Sequence, residues 1–292
     1  MVIILFFLGC TTSERQENEY LVEVDYLKSR LDGRNIRIID MRKETDFLNG
    51  HIPGATHISR SDFDNPDFSY GGMMPNKDQL QKLLREKGVN TEDELIVYDD
   101  KAGCEAARLW FILRTFHFDN VKILNGGFDE WQRASLTTST KEREYHNGNF
   151  TFKETLSRKW VASHEDIKPQ VVVIDCRTHD EFTGKRHKTG AASAGRIPGS
   201  IRIDWSSCVN WEGDKRFKNI VELKKIYAEK SISKDTPVIV YCHSGVRSSH
   251  TFFVLKELLG FTDVKNYDGS WTEWSHFTHL PIEKDSVTIY FD

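Results

Sequence analysis

Five ordered segments recur along the chain at nearly constant spacing, so the fold of one half dictates the fold of the other. Ile36-Arg37-Ile38-Ile39-Asp40-Met41-Arg42 returns as Val171-Val172-Val173-Ile174-Asp175-Cys176-Arg177, and Asp46-Phe47 as Glu181-Phe182, both at an offset of 135. Gly50-His51-Ile52-Pro53-Gly54-Ala55 returns as Gly195-Arg196-Ile197-Pro198-Gly199-Ser200 at 145, so the second half carries ten extra residues before this point. Leu95 to Tyr98 returns as Val238 to Tyr241, and Asn125 to Trp131 as Asp268 to Trp274, both at 143.

Each half reads as one α/β unit. A strand ends in Asp-x-Arg, and an Ile-Pro-Gly turn follows, where proline fixes φ and glycine permits a tight reversal. Helices are expected over Lys77 to Lys87 and Glu105 to Phe116, and over Ile220 to Lys230 and Ser249 to Leu259. Short strands at Val121 to Leu124 and Val264 to Tyr267 lead into a glycine turn and a Trp-bearing helix. Strands alternating with helices imply a mainly parallel sheet covered on both faces. The expected division is a leader and tether over 1–18, a first domain over 19–144, a polar linker over 145–158 and a second domain over 159–292. At 292 residues the chain is long enough for two such domains.

The stretch with the clearest chemistry is Val238 to Ser249. A buried strand ends at Cys242, and a small polar loop and an apolar helix follow. Backbone N–H groups converge in such a loop, and the helix N-terminus adds partial positive charge, so a thiol held there ionises more easily. A cysteine beside a strand is usually a small core residue. However, His243, Ser244, Gly245, Arg247 and Ser248 are poor core residues and good anion-loop residues, and Arg247 adds a fixed charge.

Cys242-His243-Ser244-Gly245-Val246-Arg247-Ser248 after an apolar strand resembles the active-site loop of the rhodanese sulfurtransferases. The order of the repeated segments is similar to the tandem architecture of that family over residues 20 to 285. The resemblance implies two five-stranded domains with helices on both faces of each sheet. It also implies a double displacement: the Cys242 thiolate takes the outer sulfur of a donor such as thiosulfate, and the persulfide then yields it to cyanide or another thiophile. A small anionic donor and a thiophilic acceptor are thus the expected partners, with no metal or organic cofactor. The offset of 143 places Asp99 opposite Cys242, so the first half is expected to be inactive, as first domains of the family commonly are. Arg186 and Lys188, in the ten-residue insertion, are candidate substrate contacts.

The alternative donor is 3-mercaptopyruvate. Glu181 occupies a position where mercaptopyruvate-preferring relatives offer an arginine, which favours thiosulfate. A cysteine phosphatase also cradles an anion between Cys and Arg, but its loop has five residues between them, and here there are four. A non-catalytic binding module is the third reading. The strand-end pairs Asp40–Arg42 and Asp175–Arg177 occur in both halves and read as structural, as do His51, Arg196, Gly269, Trp271 and Trp274.

A net charge of −4 argues against a general nucleic-acid binder. Five scattered cysteines suit free thiols better than a disulfide framework or a metal site. Cys104 and Cys176 read as core thiols, and Cys208 has no assigned role. The apolar run Met1 to Leu8 is too short to span a bilayer. With Gly9-Cys10 it resembles a lipoprotein cleavage site. That reading puts the protein on the periplasmic side of a bacterial envelope, attached through lipidated Cys10. A buried N-terminal strand in a cytoplasmic protein is the alternative.

Overall fold

A computed structural model describes residues 18–143 and 146–285. Cys10 and the expected leader lie outside the described residues.

The repeated apolar runs become the strands of two separate sheets. In the first half these are β1 (Leu21–Val22), β2 (Ile36–Asp40), β3 (Ala55–His57), β4 (Glu94–Tyr98) and β5 (Val121–Leu124). In the second they are β6 (Val161–Ala162), β7 (Val172–Asp175), β8 (Ile201–Arg202), β9 (Val238–Tyr241) and β10 (Val264–Tyr267). The orders β1-β5-β4-β2-β3 and β6-β10-β9-β7-β8 are the same topology twice, and all eight pairings are parallel. In both sheets the central strand, β4 or β9, is buried along its apolar run, as a strand covered on both faces must be.

The strand-end pairs are structural, as their duplication suggests. Arg42 grips Asp40, and Arg177 grips Asp175, at 2.7 and 2.6 Å. The same guanidinium groups donate to the carbonyls of Gly50 and Gly195. Tyr98 and Tyr241 donate their hydroxyls to Asp40 and Asp175. Each pair thereby fastens the Ile-Pro-Gly turn to the central strand.

The helices of the first half are α1 (Val24–Lys28), α2 (Glu44–Asn49), α3 (Lys77–Glu86), α4 (Cys104–Thr115) and α5 (Gly127–Arg133). Those of the second are α6 (His179–Phe182), α7 (Ile220–Ala228), α8 (Val246–Phe253) and α9 (Ser270–His276). Helix α4 follows β4, and helix α8 follows β9. They pack on each other between the two halves, with Trp110 edge-on to Phe253 at 4.8 Å and Phe111 edge-on to Phe252 at 5.0 Å. Every residue of α8 except half-buried Arg247 is buried, and the largest core cluster runs through both halves. A helix buried all round needs cover on every side, and each supplies part of it for the other.

Helix α8 begins three residues before the expected Ser249. Gly245, in a left-handed conformation (φ +77°), turns the chain from strand directly into helix. Val246, Arg247 and Ser248 therefore form the first helical turn rather than part of the loop. Apolar periodicity could not register that turn, because Arg247 and Ser248 face the strand end. The helix widens to a π-turn over Val254–Leu258.

Residues 146–158 form neither helix nor strand but lie against the first half. Phe150 and Phe152 are buried there, and Arg85 donates to the Phe150 carbonyl at 2.7 Å. Among the described residues, no helix is long and apolar enough to cross a membrane.

Candidate active site

The backbone around Cys242 is braced from the glycine turn after β10. Ser270 Oγ accepts the N–H groups of Cys242 and Gly245, each at 3.1 Å, and donates to the Tyr267 carbonyl. Trp271 and Thr272 donate their N–H groups to the carbonyls of Cys242 and His243. With its own donors and acceptors used in this way, the strand end is held rigid, and the next N–H groups are free to face sulfur. The N–H groups of Ser244 and Ser248 do so, and the Ser248 hydroxyl donates to Cys242 Sγ at 3.6 Å.

The four described cysteines are all free and buried, but their thiols differ. Burial pushes Cys104 and Cys176 well up and Cys208 to about 11. Burial also opposes ionisation of Cys242, yet the Arg247 charge, the Ser248 hydroxyl and the two N–H groups outweigh it, and this thiol lies below its ordinary value. Cys242 is 1% exposed, so only a small reactant reaches it without movement of the surrounding chain. Two clefts of about 1050 and 740 Å³ are lined by residues of both halves but not by Cys242.

Arg247 does not stand free at the site. Its guanidinium makes two hydrogen bonds, of 2.7 and 2.8 Å, to buried Glu181 on helix α6 (His179–Phe182). Burial pushes the Glu181 carboxyl up, but the bonds and charge of Arg247 win and hold it at about 2. Glu181 thus fixes where the guanidinium sits and offsets part of its charge.

The ten-residue insertion folds over the strand end. His243 bonds through Nε2 to the Thr189 carbonyl at 3.0 Å, Trp271 Nε1 donates to the Ser193 carbonyl, and the Ala192 N–H donates to Ser275 Oγ. A carbonyl only accepts, so Nε2 of His243 carries the hydrogen. Burial, then the Lys188 charge, pushes this imidazole down to about 4. Lys188, next to the tethered Thr189, lies within electrostatic reach of Cys242 and Arg247. Its ammonium is held below the ordinary value by burial and by Arg247. Arg186 is exposed, and among the described residues it makes no hydrogen bond or ion pair to the Cys242 loop. Lys188 is also exposed and, among the described residues, makes no direct bond to the loop, so of the two it is Lys188 whose charge is felt at Cys242, at a distance.

The first half shows what the loop is built to hold. Asp99 takes the place of Cys242, and its buried carboxylate accepts the N–H groups of Lys101, Gly103, Glu105 and Ala106 at 2.6–2.9 Å. Burial nevertheless pushes this carboxyl up to about 6. The same loop frames an internal anion in one half and a thiol in the other. Cys104 starts α4 and has the raised thiol of a core residue, while Cys176 and Cys208 are likewise core. Among the described residues, no three or more His, Cys, Asp or Glu side chains are grouped to hold a metal ion.

The one sequence signal for Ser270 is the repeat, which sets it opposite Gly127. Both residues are left-handed (φ +53° and +56°), a conformation natural to glycine and strained for serine. The strain is tolerated where the hydroxyl is needed. Glu181 as the partner of Arg247, and the cross-domain residues Arg108 and Asp268, had no local signal.

The family model of the rhodanese-like domain matches residues 23–134 and 157–277. The chain is 34% identical over 287 residues to a thiosulfate sulfurtransferase of Corynebacterium glutamicum, covering 92% of each. It is 33% identical to the sulfur carrier protein TtuD of Thermus thermophilus, covering 91% of this chain and 97% of that one. Among solved structures, SseA of Escherichia coli, a 3-mercaptopyruvate sulfotransferase, superposes with a TM-score of 0.75 at 30% identity, over 86% of this chain and 98% of SseA. Wild-type EanB shares the fold with a TM-score of 0.80 at 24% identity, over 92% of this chain and 70% of EanB.

Proposed function

Because the chain belongs to the rhodanese-like domain family and is a sulfurtransferase, we propose that Cys242 carries the sulfur and that thiosulfate is the preferred donor. What supports this most is the set of donors around its sulfur, the Ser248 hydroxyl at 3.6 Å and the N–H groups of Ser244 and Ser248 with Arg247 beside them, and among the four described thiols only Cys242 is drawn below its ordinary value. The thiolate attacks the outer sulfur of thiosulfate. A new S–S bond forms, the old one breaks, and its electron pair leaves with sulfite. The anionic persulfide then rests among the N–H groups of Ser244 and Ser248, where Asp99 holds its charge in the first half. Cyanide or a thiolate attacks the outer sulfur and returns Cys242 to the thiolate. Arg247, fixed by Glu181, stabilises both anionic states, and Lys188 steers the dianionic donor. The first domain, lacking a nucleophile at Asp99, takes no sulfur.

Glu181 also favours thiosulfate over 3-mercaptopyruvate, because it stands where the resemblance would put an arginine for the mercaptopyruvate carboxylate, and here that position is an acid paired to Arg247. The test is kcat/KM for both donors with cyanide as acceptor, on the wild type and Cys242→Ser. Higher kcat/KM for thiosulfate and no turnover by the variant are expected. Faster turnover of 3-mercaptopyruvate overturns the donor assignment. Attachment to the periplasmic face of a bacterial envelope through lipidated Cys10 belongs to the same proposal. Its support is the Leu8-Gly9-Cys10 sequence. Fatty-acid labelling that Cys10→Ser abolishes is its test.

A further inference from the structure

Arg108 lies on α4, in the half without a nucleophile, yet two of the three hydrogen bonds of its buried guanidinium go to the other half. Nη1 donates to Asp268 Oδ1 at 2.6 Å and to the Gly245 carbonyl at 3.4 Å, and Nη2 donates to the Gly72 carbonyl at 2.9 Å. Asp268 Oδ2 also accepts the Met74 N–H at 2.9 Å. One side chain thus ties together the first-domain strap 70–74, the turn after β10 and the glycine that starts α8.

The fit around this tie is close. A Cβ on Gly245 would lie 2.7 Å from Arg108 Nη1 and 2.8 Å from the Asp268 carbonyl. A Cβ on Gly72, which is left-handed at φ +95°, would lie 2.4 Å from Ser244 Cβ. The strap therefore presses on the residue whose N–H faces the sulfur. Tyr70 extends the contact by donating to Glu273 at 3.1 Å.

We propose that Arg108 is a positioning residue for the Cys242 thiolate, supplied by the first domain. It clamps the Gly72 strap and Gly245 on either side of Ser244, so that the loop N–H groups stay aimed at sulfur. The catalytically silent domain is in this sense part of the active site. The charged and titratable groups that face Cys242 are Arg247, Lys188 and the neighbouring thiols of Cys104 and Cys176, with Glu181 behind Arg247. Arg108 acts only through the loop. The proposal rests on Cys242 being the nucleophile.

The test is the pH profile of Cys242 alkylation by iodoacetamide, together with kcat/KM for thiosulfate, on the full chain. Arg108→Lys can keep the ion pair to Asp268 but cannot reach both carbonyls as well. Arg108→Met combined with Asp268→Asn removes both buried charges together. Gly72→Ala leaves the pair intact and displaces Ser244. Each variant that melts cooperatively is expected to move the profile's inflection up by about one pH unit. Its kcat/KM should fall about tenfold to a hundredfold. A folded Arg108→Lys with the wild-type profile and rate overturns the proposal, and if that variant does not fold, Gly72→Ala decides in the same way. Cys242→Ser separates the two claims. If the fast-alkylating thiol survives that change, the reading of Cys242 fails, whatever Arg108 does.

Discussion

Replacing Ser270 by alanine and by glycine should have different, separable costs. Alanine removes the acceptor for two buried N–H groups, those of Cys242 and Gly245, each now at 3.1 Å. An unsatisfied buried donor costs about 1–3 kcal/mol. With some relaxation of the loop, Ser270→Ala should therefore lose about 2–4 kcal/mol. It also keeps the left-handed backbone, φ +53°, which a non-glycine residue holds at a cost of about 1–2 kcal/mol. Ser270→Gly loses the same two bonds but sheds that strain, as Gly127 does at the matching place in the first half. Glycine should thus be the milder change by about 1–2 kcal/mol. Followed by calorimetry, with about 2–4 °C of Tm per kcal/mol, Ser270→Ala should melt about 5–15 °C below the wild type, with Ser270→Gly between them. Both should slow thiolate alkylation at neutral pH, because both loosen the strand end. An alanine variant as stable as the wild type, or a glycine variant less stable than the alanine one, would refute the bracing role.

Glu181→Gln should destabilise the protein by about 3 kcal/mol above pH 4.5, at about 1.4 kcal/mol per pH unit. The folded carboxyl lies at about 2 against an ordinary 4.5, so its contribution is full above 4.5 and fades as pH falls towards 2. Urea midpoints of the two proteins should therefore converge in acid, and a constant gap down to pH 2 would contradict the assignment. Gly127→Ala should destabilise by at least about 3 kcal/mol, since its Cβ would fall 2.1 Å from the Asp99 carbonyl in a left-handed backbone. Urea unfolding decides this, and a loss below about 1 kcal/mol would show that the turn does not have the geometry described.

What could be read from the chain was local or duplicated. The Asp-x-Arg ends, the Ile-Pro-Gly turns and the strand-Cys242-helix junction each lie within about a dozen residues, so type and spacing sufficed. The repeat added what no single motif could, namely Asp99 at the place of Cys242. What escaped was set by distance. Glu181 meets Arg247 across 66 residues, and Arg108 meets Asp268 across 160 and a domain boundary. Charged residues at such separations carry no periodic signature. The pairing of Arg247 with Glu181, rather than with a donor, could be seen only once α6 and α8 were folded together. Arg186 and Lys188 looked equivalent because both sit in the insertion. The tether from His243 to Thr189 holds the insertion next to Lys188, whose charge is felt at Cys242.

Cys242 is proposed as the sulfur carrier. Its most direct test is the intact mass of the protein after incubation with thiosulfate and removal of excess donor, followed by peptide mapping. A gain of one sulfur atom is expected, located on the peptide containing Cys242, removed by cyanide and absent in Cys242→Ser. A sulfur found on Cys104, Cys176 or Cys208, or no gain at all, would contradict it.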